Sequence, residues 1–226
     1  MFRRIMNPCL LLVRHAQSAN NSQAEELRVP DPTITKLGEL QSKRLAEALV
    51  ALKPTVLLTS PFIRSIQTAR PVAAQTGLRP SIRQDLYEQG GCYRGYRKND
   101  RHPMPGMNRA ELEAHCPSWD IDARIGDSGW NDLTVYEDMK TARERAHRVA
   151  DWFTSSPEFS SQRVAMVIHA DFKIRLLEAF LKRDDLEDHL GEVVNTAITK
   201  LSLGAGRWKL DFWNSHQHLE AEHVTT

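Results

Sequence analysis

Leu10-Leu11-Leu12-Val13 is an uncharged, branched run that stops at Arg14-His15 and a set of small polar residues. A strand with one wet face alternates apolar and polar residues, whereas a strand buried on both faces need not. The run therefore predicts a central strand of a largely parallel sheet, covered by helices on both sides. An Arg-His pair carries little weight in a chain with nine histidines; its place at the end of a buried strand is what matters. The arrangement recurs. Residues 55–59 run into Ser60-Pro61-Phe62-Ile63-Arg64, residues 81–87 into Glu88, and residues 163–168 into His169. Ligands of open α/β sheets bind beyond the carboxyl ends of the strands, so the predicted strands bring Arg14, His15, Arg64, Glu88 and His169 to one edge.

Between these strands the spacing is helical. Thr35 is a good N-cap for a helix carrying Leu37, Leu40, Leu45, Ala48, Leu49 and Leu52, closed by Pro54. Ser60-Pro61 reads as a capping hydroxyl and a first-turn proline for the next helix, with Pro71 expected to kink or break it. From 89 to about 133 the pattern lapses into glycines and prolines around one short helix at 108–115. Trp119 and Trp130 give this stretch apolar surface to bury, so it reads as a cap on the catalytic edge. A helix over 135–155 with an inner stripe of Ala146, Val149, Ala150 and Phe153 returns the chain. A strongly apolar helix follows His169, and a hairpin turns at 204–206. The tail at 220–226 is expected to fray, and His216 and His218 are better explained by it than by metal binding. A single domain over 1–226 is expected.

Composition narrows the function. A net charge of +1 gives no global attraction to nucleic acid or to an anionic membrane. The apolar run after Met1 to Pro8 is too short for a leader core or a spanning helix. Cys9, Cys92 and Cys116 are odd in number and lack metal-ligand spacing, so they read as reduced thiols of a cytoplasmic protein. No glycine-rich fingerprint follows the first strand, which argues against a nucleotide-binding module.

Taken in order, the motifs resemble those of the histidine phosphatase superfamily, the phosphoglycerate mutase-like proteins. Leu12-Val13-Arg14-His15-Ala16-Gln17-Ser18 resembles the opening Arg-His-Gly motif, and Asp31-Pro32-Thr33-Ile34-Thr35-Lys36-Leu37-Gly38 with Gln41 resembles the segment that follows it. Ser60 to Ala69 is similar to the second arginine motif, Leu86-Tyr87-Glu88 to the acid motif, and Val167-Ile168-His169-Ala170 to the second histidine motif. The resemblance covers about residues 9–219. It implies a three-layer α/β/α sandwich with a mostly parallel central sheet and a cap insertion after the third strand.

It also implies phosphoryl transfer, in which a catalyst mainly positions spread negative charge and supplies donors around it. Arg14 and Arg64 suit that task because a guanidinium meets phosphate oxygens with a planar fork and keeps its charge. Their charge also keeps His15 neutral and nucleophilic. His15 is then expected to carry a phosphoryl group, Glu88 to give and take the proton, and His169 to donate to the same oxygens. Asn21 and Ala170 are expected to touch substrate. Among the cations of the cap, Arg94, Arg97, Lys98, Arg101 and Arg109, the first, second and fourth are expected to bind a second anionic group. Ala16 and Ala170 stand where the family usually has glycine, which would cost strain if either position needed positive φ. The expected activity is metal-independent hydrolysis of a small phosphorylated metabolite, with no cofactor. Mutase-type transfer is the alternative, and an inactive phosphate-binding scaffold a more distant one.

Overall fold

The computed structural model describes residues 8–95, 97 and 100–226; the remainder of the short amino-terminal run lies outside the described residues. In chain order the elements are β1 (Cys9–Arg14), α1 (Ala19–Ser22), α2 (Lys36–Leu52), β2 (Val56–Thr59), α3 (Ile63–Thr76), β3 (Ser81–Ile82), β4 (Tyr93–Arg94), β5 (His102–Pro103), α4 (Arg109–His115), β6 (Asp120–Ile121), α5 (Met139–Ser155), β7 (Arg163–Ile168), α6 (Ala170–Leu181), α7 (Glu187–Leu190), β8 (Ile198–Gly204) and β9 (Arg207–Ser215). One sheet runs β6-β3-β2-β7-β1-β8-β9. From β6 to β1 all pairings are parallel, while β8 runs antiparallel to β1 and to β9.

Every residue of β1 is buried. Leu10 and Leu12 face one way, with Val164, Met166 and Ile168, onto Val149 and Phe153 of α5 and Phe172, Leu176 and Leu177 of α6. Leu11 and Val13 face the other way, with Ala165 and Val167, onto Leu45 and Leu49 of α2 and Ala69 and Val72 of α3. A period of two thus feeds two separate cores, which is why the strand carries no polar residue until it ends. The result is the expected three-layer α/β/α sandwich.

Register places the chemistry. Arg14 pairs with Ile168 and Thr59 with Val167, so His15 and His169 leave adjacent strands side by side, with Ser60 next to them. Helix α2 closes on this edge through Gly38, where any Cβ would meet the carbonyl oxygen of Gln17.

Several expectations need correction. The third strand stops at Ile82, and residues 84–86 form a 3₁₀ turn, so Glu88 hangs from a loop and not from a strand end. Ser60 does not cap α3; the backbone N–H of Ile63 donates to Asp31 Oδ1 at 3.0 Å instead. Pro71 lies inside α3 without ending it. Burial of Ile66, Ala69 and Val72 outweighs the one hydrogen bond a proline removes. Helix α5 begins only at Met139, where the Asp138 side chain accepts from Thr141 N at 2.8 Å.

The tail is docked, not frayed. Gln41 Nε2 donates to His223 O at 2.8 Å and to Thr225 Oγ1 at 2.9 Å, and Asn195 N donates to Thr225 O at 2.8 Å. His218 Nε2 lies 3.1 Å from Thr196 Oγ1, and burial pushes its pKa down to about 4. The segment after Glu88 is more than a cap: β6 extends the main sheet, and Trp130, Leu112 and Ile125 build a third core with Phe62 and Tyr87.

Candidate active site

His15 is buried just past the end of β1. Its Nδ1 lies 2.8 Å from Ala16 O, and Arg64 Nε donates to its Nε2 at 3.1 Å. A guanidinium has no acceptor, so the His15 lone pair is on Nε2 and the ring proton on Nδ1, donating to the carbonyl. Burial, then the charges of Arg64 and Arg14, hold its pKa well below the ordinary histidine value. The ring is neutral, oriented and nucleophilic at Nε2.

Arg64, in the first turn of α3, also donates through Nη2 to His169 Nδ1 at 3.1 Å, and Asp31 Oδ1 lies 3.9 Å from its Nη1. The same logic puts the proton of His169 on Nε2, donating to Ser60 Oγ at 2.7 Å. His169 is wholly buried, with its ring 5.1 Å from that of His15. Its Nε2 is engaged with Ser60, and its ring does not line the cavity that His15 lines. Arg14 donates through Nη1 to Val193 O, while its buried Nε has no protein partner. Burial lowers its pKa to about 10, so it remains charged. A buried, charged donor without a partner is costly unless an anion takes it.

Glu88 reaches the amino terminus of α6. Its Oε1 accepts from Gln89 N at 2.8 Å and from Phe172 N at 2.9 Å. Burial, then the neighbouring Asp171, raises its pKa to about 7, against the pull of those N–H groups and of Arg64. A carboxyl group balanced near neutrality can serve as acid in one step and base in the next.

These groups line a cavity of about 300 Å³ that brings together Arg14, His15, Asn21, Arg64, Glu88 and Ala170. Asn21 turns its amide oxygen to Ser18 N at 3.0 Å. Positive φ outside glycine is confined, among the described residues, to Lys53, Lys182, Thr196, Ala205 and Asn214, so alanine at 16 and 170 is unstrained.

The cap cations fare differently. Arg94 and Arg97 are exposed and outside the cavity. Arg101 lies with its Cζ 4.1 Å from the ring centre of Tyr136, facing a neighbouring groove. Arg109 holds the cap together by donating to Ile125 O at 2.9 Å and Asp122 O at 2.7 Å. Lys98 lies outside the described residues. Arg101 thus reaches the site only through Tyr93 and Tyr136, two residues of the cavity wall on which it packs. The wall is completed instead by Arg28, Tyr93, Tyr136 and Asp171. Gly90, at φ +98°, lets the Tyr136 ring lie where any Cβ would be. Only Asp171, two residues after His169, had a legible signal.

Among the described residues no three His, Cys, Asp or Glu side chains gather as a metal site, and no helix is long and apolar enough to cross a membrane. A glucosyl-3-phosphoglycerate phosphatase of Mycobacterium tuberculosis is 24% identical over 230 residues, covering 94% of this chain and 97% of that protein. A 2,3-bisphosphoglycerate-dependent phosphoglycerate mutase of Corynebacterium efficiens is 34% identical over 113 residues, 47% of this chain and 41% of the mutase. The solved phosphoserine phosphatase of Entamoeba histolytica, bound to 3-phosphoglyceric acid, superposes with a TM-score of 0.64 at 16% identity over 94% of this chain and 99% of that one. Residues 10–216 match the family described as histidine phosphatase superfamily (branch 1), and the chain belongs to it as a hydrolase of the histidine-phosphatase type.

Proposed function

We propose that the chain hydrolyses a small phosphomonoester in two displacements at His15, and that its substrate carries a second anionic group. In the first, His15 Nε2 attacks phosphorus, the P–O ester bond breaks, and Glu88 delivers its proton to the leaving alkoxide. In the second, water attacks the phosphohistidine, the N–P bond breaks, and the Glu88 carboxylate takes the proton from water, restoring both groups. Arg14 and Arg64 hold the phosphoryl oxygens throughout, and His169 orients Arg64. Donors of this kind are worth about 3 kcal/mol each in the transition state. The observation that carries the reading is the lone pair of His15 Nε2, fixed beside Arg64 in the cavity that Arg14 and Glu88 also line.

The second anionic group is assigned to Arg28 at the cavity wall, which donates through Nε to Asn20 O at 3.1 Å and through Nη1 to the exposed Glu25 carboxylate at 3.3 Å, a partner a substrate acid group would displace. The name of the mycobacterial relative specifies a glycosylated phosphoglycerate, and a phosphate ester that also bears an acid group suits that cation. Arg28→Ala is expected to raise KM for such an ester by about tenfold, roughly 1.4 kcal/mol, and to leave an aryl phosphate nearly unchanged. Equal effects on both would remove Arg28 from recognition. The three buried, unpaired thiols suit a reducing compartment, and we assign the enzyme to the cytoplasm on that ground.

The test is a panel of phosphorylated metabolites assayed for inorganic phosphate after dialysis against a chelator. Release of phosphate from at least one acidic ester is expected, since two fixed guanidinium groups supply the positive charge. Phosphoryl transfer to a second metabolite without phosphate release would indicate a mutase. Activity restored only by added magnesium or zinc would contradict the metal-independent assignment.

A further inference from the structure

Arg145 and Glu137 form a buried ion pair that the two displacements leave unused. Arg145 Nε donates to Glu137 Oε1 at 2.9 Å and Nη2 to Oε2 at 2.6 Å. The third nitrogen, Nη1, donates to the carbonyl oxygens of Asp85 at 2.9 Å and Tyr87 at 3.0 Å. The guanidinium lies between two rings, with Cζ 3.6 Å from the centre of Tyr87 and 3.8 Å from that of Phe172. Tyr87 Oη donates to Glu137 Oε1 at 3.2 Å, and the backbone N–H of Phe172 is the one that donates to Glu88 Oε1.

Three of these partners, Asp85, Tyr87 and Phe172, lead to Glu88. Residues 85 and 87 are held by their carbonyls, and Phe172 both packs on Arg145 and donates to the Glu88 carboxyl group. Neither Arg145 nor Glu137 lines the catalytic cavity. We infer that the Arg145–Glu137 pair is a positioning device that clamps the 85–88 backbone against the start of α6, keeping the Glu88 carboxyl group half-buried in the cavity. Stability alone is a weak reason for such a pair, because apolar residues of similar volume often serve as well. What apolar residues cannot do is bind two carbonyls at once.

The inference rests on the reading of Glu88 as proton donor. The charged and titratable groups that share the cavity with Glu88 are Asp171 from α6, Arg64 from α3, Arg14 and His15 at the end of β1, Arg28 ahead of α2, Tyr93 from β4 and Tyr136 ahead of α5. All remain when Arg145 is replaced. A change in the titration of Glu88 then reports its own burial.

The double variant Arg145→Met/Glu137→Met separates clamping from stability, since it leaves no unpaired buried charge. It is expected to fold but to melt below the wild-type temperature, because the Asp85 and Tyr87 carbonyls lose their donor, and to phosphorylate His15 from an alkyl phosphate about tenfold or more slowly, while 4-nitrophenyl phosphate, whose leaving group needs no proton, changes by less than about threefold. The basic limb of the alkyl phosphate profile should move from near pH 7 towards the ordinary carboxylate range as Glu88 becomes more exposed. If the double variant does not fold, Arg145→Lys carries the same expectation, because an ammonium keeps the charge without the fork. Wild-type rates and pH limb in the variants, or equal losses on both esters, would overturn the clamp. Glu88→Gln is run alongside. If it too loses equally on both esters, the proton-donor reading fails and the clamp with it; if it is selective and the clamp variants are not, only the clamp fails.

Discussion

Replacement of His15 by Ala is expected to lower turnover by about 10⁴-fold or more, roughly 5.5 kcal/mol, on every ester the protein hydrolyses. The loss should be general because, among the described residues, His15 is the one imidazole that lines the cavity. His169 is nearby, but its ring is wholly buried and does not line the cavity. Binding of inorganic phosphate should survive the change within about tenfold, since Arg14 and Arg64 remain to hold the anion. Steady-state turnover and phosphate titration on the same preparation check both halves. The pH profile adds a sign: His15 must be unprotonated to attack, and its depressed pKa places the acid limb below the ordinary histidine range.

Glu88→Gln is expected to slow phosphorylation of His15 from an alkyl phosphate by about 10²- to 10⁴-fold and to leave phosphorylation from 4-nitrophenyl phosphate close to wild type. An alkoxide needs a proton as it departs; a nitrophenolate leaves without one. Glu88 must be protonated for this step, so the wild-type rate with an alkyl phosphate should fall as pH rises through about 7. That limb should be absent with the aryl ester and absent in the variant. Single-turnover rates for both esters across pH provide the check, and equal losses would reduce Glu88 to a residue that shapes the amino terminus of α6.

What could be read from the amino acids follows from locality. The runs at 10–13 and 164–168 are apolar on both faces and announce central strands, and the residues that end them need only the strand to be placed. Arg14, His15 and His169 are legible for that reason, and Arg64 because a helix opens just after the strand at 56–59. Glu88 was legible as a residue but not in its setting. The apolar alternation that reads as a strand to Tyr87 is broken by bonds from far along the chain: Gln84 N donates to Asp122 Oδ2, and Arg145 takes the carbonyls of Asp85 and Tyr87. The tail was misread for the same cause, since Gln41 and Thr225 meet only after the sheet has formed.

The cap was least legible. A polar loop shows its charges but not their placement, so Arg94, Arg97 and Arg101 read as ligands although the cavity is lined by Arg28 instead. Tyr136 closes the cavity because Gly90 leaves room for its ring, a relation between residues 46 positions apart that no local pattern carries.

The central claim is a covalent phosphoryl group on His15. Mixing the enzyme with an ester labelled in its phosphate and quenching in alkali within one turnover should trap an acid-labile, base-stable adduct, mapped to the peptide that holds Arg14 and His15 and missing from His15→Ala. Label on any other residue, or an adduct of equal size in His15→Ala, would contradict the account.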